Sequence, residues 1–365
     1  MRGEEMDTIE NKNPRKAISL MSGGLDSTLA TKLVLDQGIE VIGLFLDSPF
    51  GCKEDVRKVA DALGIPLKIV DKGKAFVELV RNPKYGYGKN MNPCVDCRIY
   101  MFHLAKKVMG ELGADFIFTG EVLGQRPMSQ RREAMDIIDR DSDMKGLVLR
   151  PLSAQHFPPT QPEIEGWINR EKLLNISGRG RTEQLHWAKT LGLKAYSAPA
   201  GGCLLTDKNF SKRLSNFFEH NTDPTMAEAR LLRYGRHFDL DDGAHVVIGR
   251  DQEENTSLWE TAREEVEAGR MVFFKPRFPA PVAVLSRGNS PSLVDEVGNR
   301  IAAYAKRGIA AEQVIEVRCG SETSERKVRV PVRPPVTQGT VAGSGTSLPM
   351  STPEPPLKKQ NHSTR

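Results

Sequence analysis

The chain has 365 residues, 52 basic and 47 acidic, for a net charge of +5, a balance that permits a nucleic-acid partner without requiring one. The length excludes a single small module and suffices for two domains, each with a core. No apolar run reaches the length of a membrane span, and five cysteines without an apolar leader argue against a disulfide framework, so the expectation is a cytoplasmic protein with no membrane partner and with thiols serving metals or catalysis.

Residues Met1 to Arg15 are charged and polar and are expected to be disordered. Lys16-Ala17-Ile18-Ser19-Leu20-Met21 reads as a buried strand, and Ser27 to Leu35 carries apolar residues at helical spacing. Between them, Ser22-Gly23-Gly24-Leu25-Asp26-Ser27 forms a glycine-rich turn at a helix N-terminus. Unpaired N–H groups and the positive end of the helix dipole attract an anion there, and glycines let the backbone approach it without a Cβ in the way. Ser22 and Ser27 add hydroxyl donors, and Asp26 is a candidate partner for a magnesium ion or a nucleotide. The turn is not a Walker loop, since no Gly-Lys-Ser/Thr follows, and it lacks the G-x-G-x-x-G of a dinucleotide site.

A strand at Glu40 to Asp47, a helix from about Lys53 to Leu63 and a strand at Leu67 to Val70 come next. Arg98 to Leu112 reads as a helix, Ala114 to Thr119 as a central strand and Gly146 to Leu152 as another. This alternation predicts an α/β fold, a Rossmann-like parallel sheet with helices on both faces, in which ligands gather at the C-terminal strand ends. The turn at Ser22 and the segment after Thr119 both fall there. His156 to Pro162 reads as a loop, and Arg181 to Leu191 returns to a helical pattern, so residues 16–206 form the first domain. Residues 210–332 begin with helices and continue with strand-like pieces at His245 to Ile248 and Met271 to Phe274 and a helix at Val294 to Arg307, as a smaller α+β domain. Residues 333–365 are rich in Pro, Ser, Thr and Gly without an aromatic residue, and cannot repay the entropy of folding, so a disordered tail is expected.

Cys94-Val95-Asp96-Cys97 has metal-ligand or redox spacing and comes after Asn92-Pro93, just before the predicted helix; a third thiol follows Ala200-Gly201-Gly202 at Cys203. The pair alone could carry persulfide sulfur or supply two metal ligands. Three thiolates can hold a 4Fe-4S cluster with one iron left open, whereas a structural zinc wants four ligands, which Cys52, Cys319, His103 or His186 would have to complete. His103, inside an apolar helical pattern, reads as a core residue, and Phe273, Phe274 and Phe278 as core rather than as base-stacking rings.

Ser-Gly-Gly-x-Asp-Ser resembles the PP-loop of the ATP pyrophosphatases, which split ATP into AMP and pyrophosphate. After Thr119 comes Gly120-Glu121-Val122-Leu123-Gly124-Gln125-Arg126-Pro127-Met128-Ser129-Gln130, and together with the turn this is similar to the tRNA 4-thiouridine synthetases, whose PP-loop domain carries a T-G-E-x-L-G-Q-x-x-S-Q run. Leu149-Arg150-Pro151-Leu152 and the helix near Arg181 to Leu191 before a cysteine share the resemblance, which covers residues 16–206. It implies an enzyme that adenylates a uracil carbonyl of tRNA with ATP and then inserts sulfur, making 4-thiouridine. Ser22, Gly23, Gly24, Asp26, Ser27, Gly120 and Gln125 would bind ATP and Mg2+. Cys94, Cys97 and Cys203 would act with Asp26 in catalysis and hold a 4Fe-4S cluster. The implied partners are tRNA and a sulfur donor, sulfide or a persulfide carrier, and a homodimer is permitted. Arg126, Arg131, Arg132, Arg179 and Arg181 are candidates for RNA phosphates or for a solvated basic face, and Gln125 and Gln130 for the nucleotide or base.

The tRNA 2-thiouridylases and 2-thiocytidine enzymes share the first motif and the use of paired cysteines. A PP-loop enzyme acting on a small molecule and a non-catalytic nucleotide-binding regulator are the remaining alternatives. The best-known 4-thiouridine synthetases carry an RNA-binding module ahead of the PP-loop, and here about fifteen residues precede the first strand. The region from Ala244 to Val332, around His245 to Asn255, bears a weaker resemblance to the RNA-binding domain of NFACT-type proteins, which moves the expected tRNA-binding domain to residues 210–332.

Overall fold

In the computed structural model, which describes residues 14–51, 56–197, 203–240 and 243–331, five strands pair in parallel. They are β1 (Lys16–Leu20), β2 (Glu40–Asp47), β3 (Leu67–Asp71), β4 (Phe116–Thr119) and β5 (Val148–Leu149), in the order β3-β2-β1-β4-β5. Side chains alternate across β1. Ala17 packs with Leu29 and Leu33 of α1 (Leu25–Leu35) and Val59 of α2 (Val56–Leu63), while Ile18 and Leu20 pack with Phe102 and Ala105 of the opposite layer. The expected parallel sheet with helices on both faces is therefore present.

The helix α3 (Gly73–Arg81), which the sequence reading did not predict, buries Phe76, Val77 and Val80. The helix α4 (Cys94–Leu112) starts four residues before the predicted Arg98, with Pro93 at its N-cap and Asp96 in its first turn. Proline there loses no helical hydrogen bond, and the Asp96 carboxylate is held by the backbone N–H groups of Lys84 at 2.9 Å and Tyr85 at 3.0 Å. His103 on α4 is exposed, so its expected core position is corrected. The helix α5 (Arg132–Asp141) was also unpredicted, and the expected strand Gly146 to Leu152 pairs only at β5, because Pro151 lacks an N–H and the chain turns at Arg150 to Ser153. The predicted loop at His156 to Pro162 runs into the short α6 (Gln161–Ile164), and α7 (Thr182–Thr190) matches the expected helix.

A second, six-stranded antiparallel sheet has the order β11-β10-β8-β9-β7-β6, and both sheets lie in one compact unit ending at Val330. Its approach runs through α8 (Lys208–His220) and α9 (Met226–Leu231), and its strands are β6 (Arg236–Asp239), β7 (His245–Ile248), β8 (Met271–Pro276), β9 (Ala283–Ser286), β10 (Glu312–Cys319) and β11 (Glu322–Arg329). The helix α10 (Gln252–Glu267) buries Leu258 and Val266 against Val247 and Phe273, and α11 (Pro291–Ala303), shorter than the predicted Val294 to Arg307, buries Val297 and Ile301 against Phe274 and Ile315. Phe273, Phe274 and Phe278 are core residues, as expected. Among the described residues no helix is long and apolar enough to cross a membrane. Cys52, Lys53 to Asp55, Ala200 to Gly202, and nearly all of the expected disordered ends lie outside the described residues.

A buried ion network ties the layers together. Arg150 grips Asp139 of α5 through two hydrogen bonds of 2.9 and 2.6 Å and reaches Glu121 at 3.2 Å, and Arg98 of α4 meets Glu121 at 3.3 Å. Burial works against the Glu121 charge, but the Arg98 and Arg150 guanidiniums hold its carboxyl below the usual range, whereas burial of Asp139 prevails over Arg150 and raises it. Arg150→Met would leave the Asp139 carboxylate without its cation and Glu121 with Arg98 alone, and the expected loss is ~3–5 kcal/mol, read as a lowered urea midpoint.

In the second sheet, His237 Nε2–H donates to the Tyr234 carbonyl at 2.7 Å, its Nδ1 lies 3.0 Å from His245 Nε2, and His245 Nδ1 lies 2.7 Å from Asp239 Oδ1. Burial, with Arg213 and His245 adding, pulls the His237 pKa from the ordinary 6.5 down to about 2, and burial lowers His245 in the same direction. Below pH 6.5 the unfolded chain binds a proton that the folded one refuses, so stability falls as the solution is acidified. Thermal melting should fall between about pH 7 and about pH 5, and His237→Gln should flatten that slope.

Candidate active site

The connections after β1 and β4, adjacent in the sheet, lead away in opposite directions, so their C-terminal ends open a crevice. Gly24 is the N-cap of α1 with no side chain capping the helix, which leaves first-turn amides open to an anion. Gly23 has φ 77°, a left-handed turn suited to glycine, and its carbonyl accepts from Ser197 N–H at 2.8 Å. Ser27 Oγ donates to the Gly24 carbonyl at 3.0 Å and lies 3.2 Å from Ser22 Oγ. The glycine-rich turn is thus a wired loop, with Ser22 exposed at its rim and Ser27 buried beneath.

Gly120 closes the cradle from the β4 side. A Cβ on Gly120 would lie 2.5 Å from the Asp26 carbonyl carbon and the Ser27 nitrogen, so only glycine allows this approach. From the same loop, Gln125 Nε2 donates to Asp26 Oδ2 at 2.9 Å. That bond leaves Asp26 Oδ1 and Gln125 Oε1 buried without partners. Two orphaned oxygen acceptors beside an anion cradle suit a hard divalent cation such as Mg2+. Gln130 does different work: its Oε1 accepts from Arg126 N–H at 3.1 Å and its carbonyl from Gly124 N–H at 2.6 Å, bracing the loop from a buried position. Arg126, Arg131 and Arg179 are exposed; Arg132 donates to the His156 carbonyl at 2.6 Å, and Arg181 is the half-buried N-cap of α7.

The cysteines gather at the same end of the sheet. Cys94 and Cys97 lie within the first turn of α4 rather than before the helix, and at this spacing they share a helix face. Asn92 Nδ2 is 3.4 Å from Cys94 Sγ. Cys97 and Cys203 both pack on one apolar cluster with Phe50, Phe76 and Phe210. Burial pushes the Cys203 thiol up to about 11, with Cys97 and Cys94 adding and Lys72 opposing. Lys72 was missed by sequence reasoning, being in no motif; the one signal was its place at the C-terminal end of a strand. Cys97 and the cradle are joined through neighbours, since Arg98 pairs with Glu121, which adjoins Gly120.

Among the described residues zinc gains no fourth ligand: His103 and His186 are exposed, and Cys319 belongs to β10 of the other sheet, while Cys52 lies outside the described residues. Among the described residues no three His, Cys, Asp or Glu side chains converge on one ion. Thiolates sharing a zinc at about 2.3 Å must lie close together, whereas a cluster gives each thiolate its own iron and accepts a wider spacing. The donor set of three thiols fits a cluster better than a zinc.

The family model described as Thiamine biosynthesis protein (ThiI) matches residues 13–156. The chain is 40% identical over 126 residues to the tRNA-specific 2-thiouridylase MnmA of Syntrophotalea carbinolica, covering 31% of this chain and 36% of that protein. It is 29% identical over 235 residues to the protein of the same description from Acetivibrio thermocellus, covering 57% and 60%. It therefore spans between 36% and 60% of the length of these two curated relatives. Among solved structures, a 4-thiouridine synthetase–RNA complex with bound ATP is similar at 23% identity and a TM-score of 0.30, covering 49% of this chain and 52% of that one. The stretch that carries the glycine-rich turn at Ser22 to Ser27 is thus the part of the chain similar to the ThiI family model and to the 2-thiouridylase relatives.

Proposed function

We propose that the chain is an ATP-dependent tRNA sulfurtransferase that thiolates uridine at C4 in the cytoplasm, releasing AMP and pyrophosphate. The observation that supports this reading is the junction of two features: a glycine-rich turn closed by Gly120, joined through Glu121 and Arg98 to the helix end that bears Cys94 and Cys97, with Cys97 sharing an apolar cluster with Cys203. A passive nucleotide sensor has no use for the thiols.

A carbonyl oxygen is a poor leaving group, so sulfur cannot replace it without activation. In the proposed reaction the uracil oxygen attacks the α-phosphate, an O–P bond forms, and the bond to pyrophosphate breaks. The open amides of α1 and the Ser22 hydroxyl would hold the departing pyrophosphate, with Ser27 bracing the loop through the Gly24 carbonyl, and Asp26 Oδ1 and Gln125 Oε1 would hold Mg2+, which would supply charge neutralisation. Sulfur then attacks the adenylated carbon, and AMP leaves with the oxygen. Positioning supplies much of the rate. Cys94, Cys97 and Cys203 would hold a 4Fe-4S cluster, whose open iron supplies a binding place for sulfide. Residues 16–206 would form the thiolation domain and 210–332 the RNA-binding domain, with the exposed Arg126, Arg131 and Arg179 meeting RNA phosphates.

The run from Thr119 to Gln130 favours C4. Thiolation at C2 is a second reading, favoured by the names of the 2-thiouridylase relatives. In a strain lacking the gene, mass spectrometry of digested tRNA should show loss of 4-thiouridine, restored by the wild-type chain and not by Asp26→Ala. Loss of 2-thiouridine instead would move the assignment to C2, and unchanged thionucleosides would defeat both. Anaerobically purified protein should carry iron and acid-labile sulfide, lost in Cys94→Ala, Cys97→Ala and Cys203→Ala; a metal-free chain with full activity would overturn the cluster.

A further inference from the structure

Lys72 follows the last residue of β3 and is only 7% exposed. Its backbone is held on both sides, with its N–H donating to the Asp47 carbonyl at 3.0 Å and its own carbonyl accepting from the Tyr100 hydroxyl at 2.6 Å. The carboxylates at these strand ends are already engaged: Arg230 of α9 takes Asp47 at 3.2 Å and also pairs with Asp71. The partners found for the Lys72 ammonium among the described residues are the Cys97 sulfur at 3.6 Å and the face of the Phe76 ring at 4.4 Å. An ammonium withdrawn from water is costly unless negative charge meets it, and a ring face meets only part of the need.

We propose that Lys72 is the counter-cation of the sulfur centre, a positioning residue that fixes the Cys97 sulfur, and the sulfur delivered there, at the strand-end mouth. The proposal rests on the thiolation reading for its purpose and on the buried pairing for its geometry. One further observation agrees with it: Phe76, which carries the ammonium on its face, belongs to the apolar cluster that holds Cys97 and Cys203, so the cation and these two sulfurs share one packed environment.

The test compares the full-length chain with Lys72→Met, which keeps the length and removes the charge, and Lys72→Arg, which keeps the charge. In full-length protein stripped of iron by a chelator, iodoacetamide alkylation of Cys97, followed site by site by mass spectrometry, should slow ~10-fold in Lys72→Met and stay within ~3-fold of wild type in Lys72→Arg. Cys319, in the other sheet, should alkylate at an unchanged rate in all three, which also reports an intact fold. In thionucleoside formation, Lys72→Met should lower kcat with the KM for ATP unchanged, and Lys72→Arg should recover most of it. Unchanged Cys97 alkylation in Lys72→Met, or a Lys72→Arg chain as impaired as Lys72→Met, would overturn the proposal. Should alkylation respond as expected while no chain, wild type included, forms thionucleoside, the pairing stands and the thiolation reading fails.

Discussion

The arrangement depends on one close approach, that of Gly120 to the backbone of Asp26 and Ser27. Because no side chain stands between them, the end of β4 rests directly on the turn that begins α1. Everything that follows Gly120 is placed by this contact. Gln125 comes within hydrogen-bond distance of Asp26, and Glu121 is buried where Arg98 and Arg150 can reach it. An alanine at position 120 would push apart two segments that cannot be moved independently.

Charge buried at this junction then sets the position of the sulfur-bearing helix. Arg98 directly follows Cys97, so pairing Arg98 with Glu121 fixes the first turn of α4 relative to the cradle. On the other flank, Arg230 binds the carboxylates that end β2 and β3 and draws α9 onto the strand ends. Surface pairs of this kind contribute little, but those withdrawn from water are stringent about geometry, since a lost partner leaves a charge without compensation. The site is positioned by such pairs and by packing on Phe50, Phe76 and Phe210, rather than by a single element.

The sequence disclosed the parts whose physics is local. The glycine-rich turn, β1, β2 and α7 follow from spacing and from the special freedom of glycine, and the expected sheet with helices on both faces is present. Features that depend on distant partners stayed hidden. The start of α4 was placed too late because Pro93 reads as a break, whereas at a helix cap it is harmless. His103 sits in an apolar pattern yet faces solvent, since neighbouring residues of α4 suffice for the core. The β10–β11 hairpin is half charged, with Ile315, Val317 and Val328 in the core cluster and Cys319 packed against it, too few to mark strands by alternation. Lys72 could not be singled out at all, because what distinguishes it is a sulfur twenty-five positions away.

The cluster that seats Cys97 and Cys203 draws on Phe50 and Phe76 from the parallel-sheet layer and on Phe210, Leu214 and Phe217 from α8. A fragment ending near residue 206 would strip that cluster of half its walls and leave its aromatic floor wet. The two sheets are thus not interchangeable modules: an evolutionary exchange of the C-terminal sheet would have to retain α8 and α9, and a graft made at the sequence boundary would carry the glycine-rich turn across while leaving behind the shelter of the thiols.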